Sequence, residues 1–187
     1  MSDPIHERGK AMESLFFKQR DQVLLERMRE DQANREVRDQ LADASGVSDS
    51  AVIDALLKVN ISADSLTAVS MIPLIAVAWA DWEMDDREQE AVLQAADGAG
   101  IDKGTASYDL LAKWLKTRPG DDLLDAWKSY IRAIHGSMDP AASSQLKASV
   151  IGRAEMIALS AGGFLGLGNR ISQVEQNVLQ DLAATFD

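Results

Sequence analysis

The residues best suited to chemistry lie in the acidic loop, which we define as residues 81–88, Asp-Trp-Glu-Met-Asp-Asp-Arg-Glu. Acidic residues alternate at its start, so a short turn would aim their carboxylates at one point, and a further glutamate follows three residues later. Carboxylate oxygens that converge from one loop are the ligands that a hard cation such as calcium or magnesium requires. The spacing therefore predicts a site for Ca²⁺ or another divalent cation, with the ligands Asp81, Glu83, Asp85 and Glu88.

The same carboxylates also fit the start of a helix, and this second interpretation stays open beside the first. Asp85 is a favourable N-cap, and Glu88, three residues on, is its natural partner in a capping box. Acidic side chains in a first turn also favour the positive end of the helix dipole. The loop is not an EF-hand, because its sixth position is not glycine and its twelfth, Val92, is not glutamate.

The composition excludes several classes of function. The chain has 187 residues, with 19 Lys and Arg against 30 Asp and Glu, and a formal net charge of −11. This balance argues against binding to nucleic-acid phosphates or to an anionic membrane surface. The absence of cysteine excludes disulfides, cysteine-ligated zinc and thiol catalysis. The histidines are His6 and His135, and no nucleophile accompanies the carboxylates, so we expect no enzymatic activity.

Helices must position these side chains, because apolar residues recur every three or four positions and alternating strand patterns are missing. The predicted fold class is all-α: a compact bundle of about seven to eight helices with a charged helical arm. We place the arm at residues 1–45 and the domain at residues 46–187. The predicted helices span about 5–44, 48–58, 62–79, 86–97, 105–116, 121–138 and 141–160, and a last helix starts after Ser172.

Local signals mark several helix ends. Gly46 is a C-terminal glycine, and Ser48 and Ser62 are predicted N-caps. Pro73 should either kink the helix over 62–79 or start a new first turn there. Ser172 is the N-cap of the last helix and has a glutamate three residues on, which is a second capping box.

The stretch 72–93 resembles a known family. An alanine-rich helix, then Ala-Asp, a short turn and a Glu-led helix are similar to the first half of the TerB-like tellurite-resistance domain. Such domains pair two units of this kind, so the resemblance implies that the helix–acidic loop–helix unit is pseudo-repeated in this chain. Here the second unit would be Arg153 to Phe186, where Ser172 and Glu175 parallel Asp85 and Glu88. The resemblance covers about residues 62–187.

This resemblance implies a function that the composition does not. By this resemblance the chain would be a helical, metal-associated module that is linked to stress response and tellurite resistance and has no established enzymatic reaction. The chain would then be a non-enzymatic cytoplasmic accessory protein, and the four carboxylates of the acidic loop would be its surviving acidic site. The chain departs from the family pattern at Trp82, where glycine is usual. The second loop has Gly162 and Gly163 in place of acids and keeps only Glu175.

Two further segments predict binding to a protein. The arm carries an apolar patch, the arm patch, consisting of Phe16, Phe17, Leu24, Leu25 and Met28. Such a patch either docks on the domain or binds a partner or a second copy of the chain. The Gly-rich segment 162–168 follows a helix rather than a strand, which argues against a phosphate loop. Its Phe164 and Leu167 either pack into the core or form a flap for a partner.

The alternative function is therefore an assembly adaptor that works through the arm and the Gly-rich segment, with no metal. We predict that Trp79, Trp114 and Trp127 belong to the core and that His135 is partly buried. The N-terminus lacks the pattern of a secretory leader, and the longest apolar run is about half of a membrane span. We therefore expect a cytoplasmic protein without a membrane span.

Overall fold

The computed structural model describes residues 4–161 and 171–187, and it describes the side chains of these residues from 20 onward, apart from residues 21 and 161. No strand occurs in these ranges, which confirms the predicted all-α class. They form a 3₁₀ helix at Ala63–Met71 and eight α-helices: α1 (Pro4–Ser45), α2 (Ser50–Lys58), α3 (Ile72–Ala78), α4 (Asp86–Gly98), α5 (Ala106–Lys116), α6 (Asp121–His135), α7 (Pro140–Ala161) and α8 (Gln173–Ala184).

The contacts divide the chain into two compact units, Met1–Asp39 and Gln40–Asp187. The first unit is the greater part of α1, a continuous helix of 42 residues. Every described side chain of this unit is exposed to solvent. A helix without a buried face gains little stability from tertiary packing, which is where most helices in proteins obtain it.

The first helix boundary of the second unit shows one correct and one wrong prediction. Gly46 has a φ of +68° and its amide donates to the carbonyl of Ala42 at 2.9 Å, which confirms it as a C-terminal glycine. Ser48 is not the next N-cap. Asp49 takes that role, because its carboxylate accepts from the amide of Ala51 at 2.8 Å and α2 begins at Ser50. Both residue types cap well, and the one directly before the first turn is used.

The predicted helix over 62–79 is divided in two. Ser62 caps a 3₁₀ helix, and the Ser62 amide donates to the hydroxyl of Ser65 at 2.9 Å. The α-helical geometry starts only at Ile72, with Pro73 in the first turn of α3. Proline has no amide hydrogen to donate, so it is tolerated where a helix begins and interrupts one that continues. Pro73 therefore starts a new helix instead of kinking a continuous one, which is the second of the two predicted outcomes.

Helix α3 lies at the centre of the second unit. Six of its seven residues are buried, and it contacts the 3₁₀ helix and the helices α4, α6, α7 and α8. Its sequence, Ile-Pro-Leu-Ile-Ala-Val-Ala, has no polar side chain on any face. A helix that is apolar all round is stable only where neighbours cover every side of it. This requirement explains why the 3₁₀ helix and the helices α4, α6, α7 and α8 surround α3.

The surrounding helices pack in pairs. Helix α2 lies on α6, α5 lies on the 3₁₀ helix, and α7 lies on both α4 and α8. Trp114 and Trp127 are buried as predicted, and Trp79 is half-buried, with its indole nitrogen donating to the carbonyl of Trp114 at 2.9 Å. His135 is half-buried, as predicted, with its ring edge-on to Phe186. It is also the last residue of α6, which ends earlier than predicted.

No single helix in the described ranges is long and apolar enough to cross a membrane. Helix α2 and the segment Ala63–Ala78 pass that test only as a pair, across a bend of 81°.

Removing a side chain from α3 tests its central place. Leu74 is fully buried, so Leu74→Ala should lower the free energy of unfolding by about 3 kcal/mol, from lost burial and the cavity left behind. The control is Leu159→Ala on α7, where the side chain is 38% exposed and the expected loss is below about 1 kcal/mol. Urea denaturation of both variants measures the difference, and equal losses would contradict the central placement of α3.

Candidate functional site

The acidic loop joins α3 to α4 through a tight turn. The amide of Ala80 donates to Val77 and the amide of Trp82 donates to Trp79, at 3.0 and 3.1 Å, so the chain turns as soon as α3 ends. The carboxylate of Asp81 folds back within the loop and accepts from the amide of Glu83 at 3.1 Å. Asp81 and Glu83 are both exposed to solvent.

Asp85 caps α4, as the second interpretation predicts. One of its carboxylate oxygens accepts from the amides of Arg87 and Glu88, each at 2.8 Å. In return, the carboxylate of Glu88 accepts from the amide of Asp85 at 2.9 Å. These reciprocal hydrogen bonds form a complete capping box and satisfy amides that the first turn of a helix leaves unpaired.

The last helix begins in the same way. The hydroxyl of Ser172 accepts from the amide of Glu175 at 3.2 Å, and the Glu175 carboxylate accepts from the amide of Ser172 at 2.6 Å. This confirms the second predicted capping box. Glu88 and Glu175 therefore hold equivalent positions on α4 and α8. Both are buried, with 6% and 8% of the residue exposed.

Glu88 has an unusual electrostatic environment. The pKa of its carboxyl group is raised from an ordinary value of 4.5 to about 7, chiefly by burial and, to a smaller extent, by the negative charges of Asp85, Asp81 and Glu175. The hydrogen bond from the Asp85 amide favours the ionised form and partly offsets these effects. Glu88 thus lies in the field of acidic groups from its own loop and from the start of α8.

The structure brings together only part of the predicted cation site. Asp81 and Asp85 both act on Glu88, whereas Glu83 is exposed and contributes its backbone amide to the turn. Among residues 4–161 and 171–187, no group of three or more His, Asp or Glu side chains is arranged so that it could hold a metal ion. The divalent-cation site stays a prediction.

Glu175 is the acidic neighbour that the sequence-based site left out. The signal in the sequence was its match to Glu88 in the predicted repeat, and in the structure the charge of Glu175 acts on the Glu88 carboxyl group.

Trp82 stands apart from the other tryptophans. It has a φ of +74°, in the left-handed region that costs a residue with a Cβ about 1 kcal/mol, and 71% of the residue is exposed. Its indole ring lies 3.8 Å from the guanidinium carbon of Arg118, in the turn between α5 and α6. Glycine would adopt this backbone conformation without strain, which gives the departure from the TerB-like pattern a structural consequence.

The arm patch is exposed where the structure describes it. Leu24, Leu25 and Met28 expose 57, 52 and 60% of their surface. The side chains of His6, Phe16 and Phe17 are not among those that the structure describes. The Gly-rich segment 162–168, with Phe164 and Leu167, lies outside the described residues.

Comparison with known proteins gives no relative. No protein-family model, curated protein or solved structure matches the chain. The resemblance to the TerB-like family therefore stays a prediction that depends on the residues of the acidic loop and its repeat.

The raised pKa of Glu88 predicts a pH dependence of stability. In the native state Glu88 keeps its proton up to about pH 7, whereas in the unfolded state it releases the proton near pH 4.5. The stability that the protonated Glu88 contributes is therefore complete below pH 4.5 and is lost as the pH rises through about 7. In Glu88→Gln the amide oxygen still accepts from Asp85 but cannot ionise. Between pH 4.5 and 8 the variant should gain about 2–3 kcal/mol relative to wild type.

Urea denaturation at several pH values measures this gain. Glu90→Gln, an exposed change on the same helix, is the control and should follow the wild type. Parallel pH profiles for Glu88→Gln and wild type would contradict the proposed environment of Glu88.

Proposed function

We propose that this chain is a non-enzymatic accessory protein of the TerB-like type and that its arm binds a protein partner. The observation that carries the proposal is the exposure of Leu24, Leu25 and Met28 on a helix whose other described side chains, up to Asp39, are also exposed. The two helix–capping box–helix units, α3–α4 and α7–α8, support the TerB-like assignment.

Burial energetics favour a partner for the arm patch. Apolar surface gains about 25 cal/mol per Å² when it leaves water, and three large neighbouring side chains offer a substantial area of this kind. Leu24 and Leu25 are followed by Met28 at helical spacing, so the three side chains lie on adjoining parts of one helix surface. An apolar patch on an otherwise charged helix is the feature that groove-binding helices present to their partners.

The test replaces Leu24, Leu25 and Met28 together with glutamine. Glutamine is a good helix former and is uncharged, so the substitutions remove apolar surface without changing helix propensity or net charge. The matched control replaces three other exposed apolar residues, Met156, Leu159 and Val174, with glutamine.

Immobilised wild type, arm variant and control are compared for proteins retained from the native host by quantitative mass spectrometry. At least one specific protein that wild type and control both retain should be retained by the arm variant in an amount at least tenfold lower. Retention of the same proteins in the same amounts by all three would overturn the proposal.

A second function is favoured by the environment of Glu88: divalent-cation binding at the acidic loop. Asp81, Asp85 and Glu175 all place negative charge near a buried carboxyl group, and a bound cation would remove this repulsion. The candidate ligands remain those predicted from the loop, Glu83 included.

Calorimetric titration of chelator-treated protein with calcium, then magnesium, tests cation binding. Because Glu88 has a pKa of about 7, a cation that it ligates at pH 7 should release about half a proton, measurable by repeating the titration in buffers of different ionisation enthalpy. The double variant Asp85→Asn/Glu88→Gln should not bind, although it stays folded because asparagine caps helices as well as aspartate does. Absence of heat up to millimolar cation, or equal binding by the variant, would exclude this function.

A further inference from the structure

Trp82 has two energetically unfavourable features, an exposed ring and a strained backbone conformation. The residue is 71% exposed, so a large apolar ring stays in water, and its φ of +74° is disfavoured for any residue with a Cβ. Exposed residues in strained backbone conformations are concentrated at sites that act on other molecules. Trp82 is therefore a candidate for contact with a partner.

Arg118 holds the Trp82 ring in place. Its guanidinium carbon lies 3.8 Å from the centre of the ring, and its Nη2 lies 3.3 Å from the Oδ1 of Asp121. A guanidinium that is stacked on one side and paired with a carboxylate on another has little freedom left. The indole is thus presented in a defined orientation. Tryptophan and arginine are also the residue types most enriched among the residues that dominate binding energy at interfaces.

An apolar pocket of about 130 Å³ lies beside this pair, because Arg118 is also part of its wall. The rest of the wall is mainly aliphatic and aromatic, including Ile75, Trp79 and Leu123 from α3, its C-cap and α6. The pocket has room for an aliphatic side chain, and among the described residues that line it only Arg118 and Asp121 are charged. Such a pocket next to a fixed indole suits one apolar anchor.

The charged side chains around Trp82 indicate which residues should flank the apolar side chain of a bound segment. Asp81 and Glu83 are exposed on either side of Trp82 in the chain, and Asp121 lines the pocket. These three carboxylates outnumber the single guanidinium of Arg118, so the surface favours Lys or Arg on an incoming segment and disfavours acidic ones. A second copy bound through the same surface would bring these carboxylates against one another.

We propose that Trp82, Arg118 and the adjacent apolar pocket form a docking site for a peptide segment of a partner protein, one that carries a large aliphatic side chain flanked by Lys or Arg. The aliphatic side chain enters the pocket beside Arg118, the indole that stacks on Arg118 packs against the neighbouring part of the segment, and the basic residues face Asp81, Glu83 and Asp121. The arm is not part of this site, so the inference does not depend on the function proposed for the arm.

The probe is a fluorescein-labelled nonapeptide, Gly-Lys-Arg-Ser-Leu-Ser-Arg-Lys-Gly, titrated with the full chain and followed by fluorescence anisotropy. In one matched peptide serine replaces the central leucine, and in another glutamate replaces all basic residues. The leucine peptide should bind at least tenfold more tightly than the serine peptide and should weaken with added salt. The glutamate peptide should show no binding.

Two variants separate the docking site from a structural role. Trp82→Gly removes the ring and relieves the backbone, so its thermal midpoint should stay within a few degrees of wild type while binding falls at least tenfold. Arg118→Lys keeps the charge but cannot stack in the same way, and binding should fall about threefold to tenfold. Met156→Ala, a remote exposed position on α7, is the control and should bind as wild type does.

Three results would overturn the proposal. The first is no binding of the leucine peptide up to 1 mM, and the second is equal binding by wild type and Trp82→Gly. The third is a wild-type dimer, seen by sedimentation velocity, that Trp82→Gly converts to a monomer, because the occupant would then be a second copy rather than a basic peptide.

Discussion

The second unit depends on the burial of α3. Its seven residues offer no polar side chain to water, so the helix is stable only when it is covered from all sides. The 3₁₀ helix and the helices α4, α6, α7 and α8 supply that cover. Pro73 fixes where α3 begins, and the turn at Ala80–Trp82 fixes where it ends, so the most apolar part of the chain is also sharply bounded.

Covering α3 has an electrostatic consequence. Helices α4 and α8 both contact or adjoin α3, and each begins with a capping box whose glutamate is buried. The capping hydrogen bond from the Asp85 amide offsets part of the cost of burying Glu88, but burial, with smaller contributions from Asp85, Asp81 and Glu175, still raises its pKa to about 7. The acidic loop is therefore a helix cap that carries excess negative charge, and this combination is the physical basis on which both a structural role and a cation-binding role can be argued.

Two further surfaces of the chain are suited to binding a partner. On the arm, apolar side chains remain exposed on a charged helix, and on the domain, Trp82 remains exposed in a strained backbone conformation beside an apolar pocket. Neither arrangement is favourable for the isolated chain. Both become favourable when a second molecule covers the apolar surface, and this supports the proposal that the chain binds a protein partner.

The sequence by itself determined the local structure. Periodicity placed the helices, and the capping residues Asp85 and Ser172 placed the starts of α4 and α8, because these signals act within one or two helical turns. The choice of Asp49 over Ser48 was missed because both residues cap well and one position separates them. Only the tertiary structure decided which distant residues meet. The approach of Glu175 to Glu88 and the stacking of Arg118 on Trp82 join separate elements, and their geometry is set by how the helices pack around α3. Local signals specify where a helix starts and which face is apolar, but they contain no information on which neighbour covers that face.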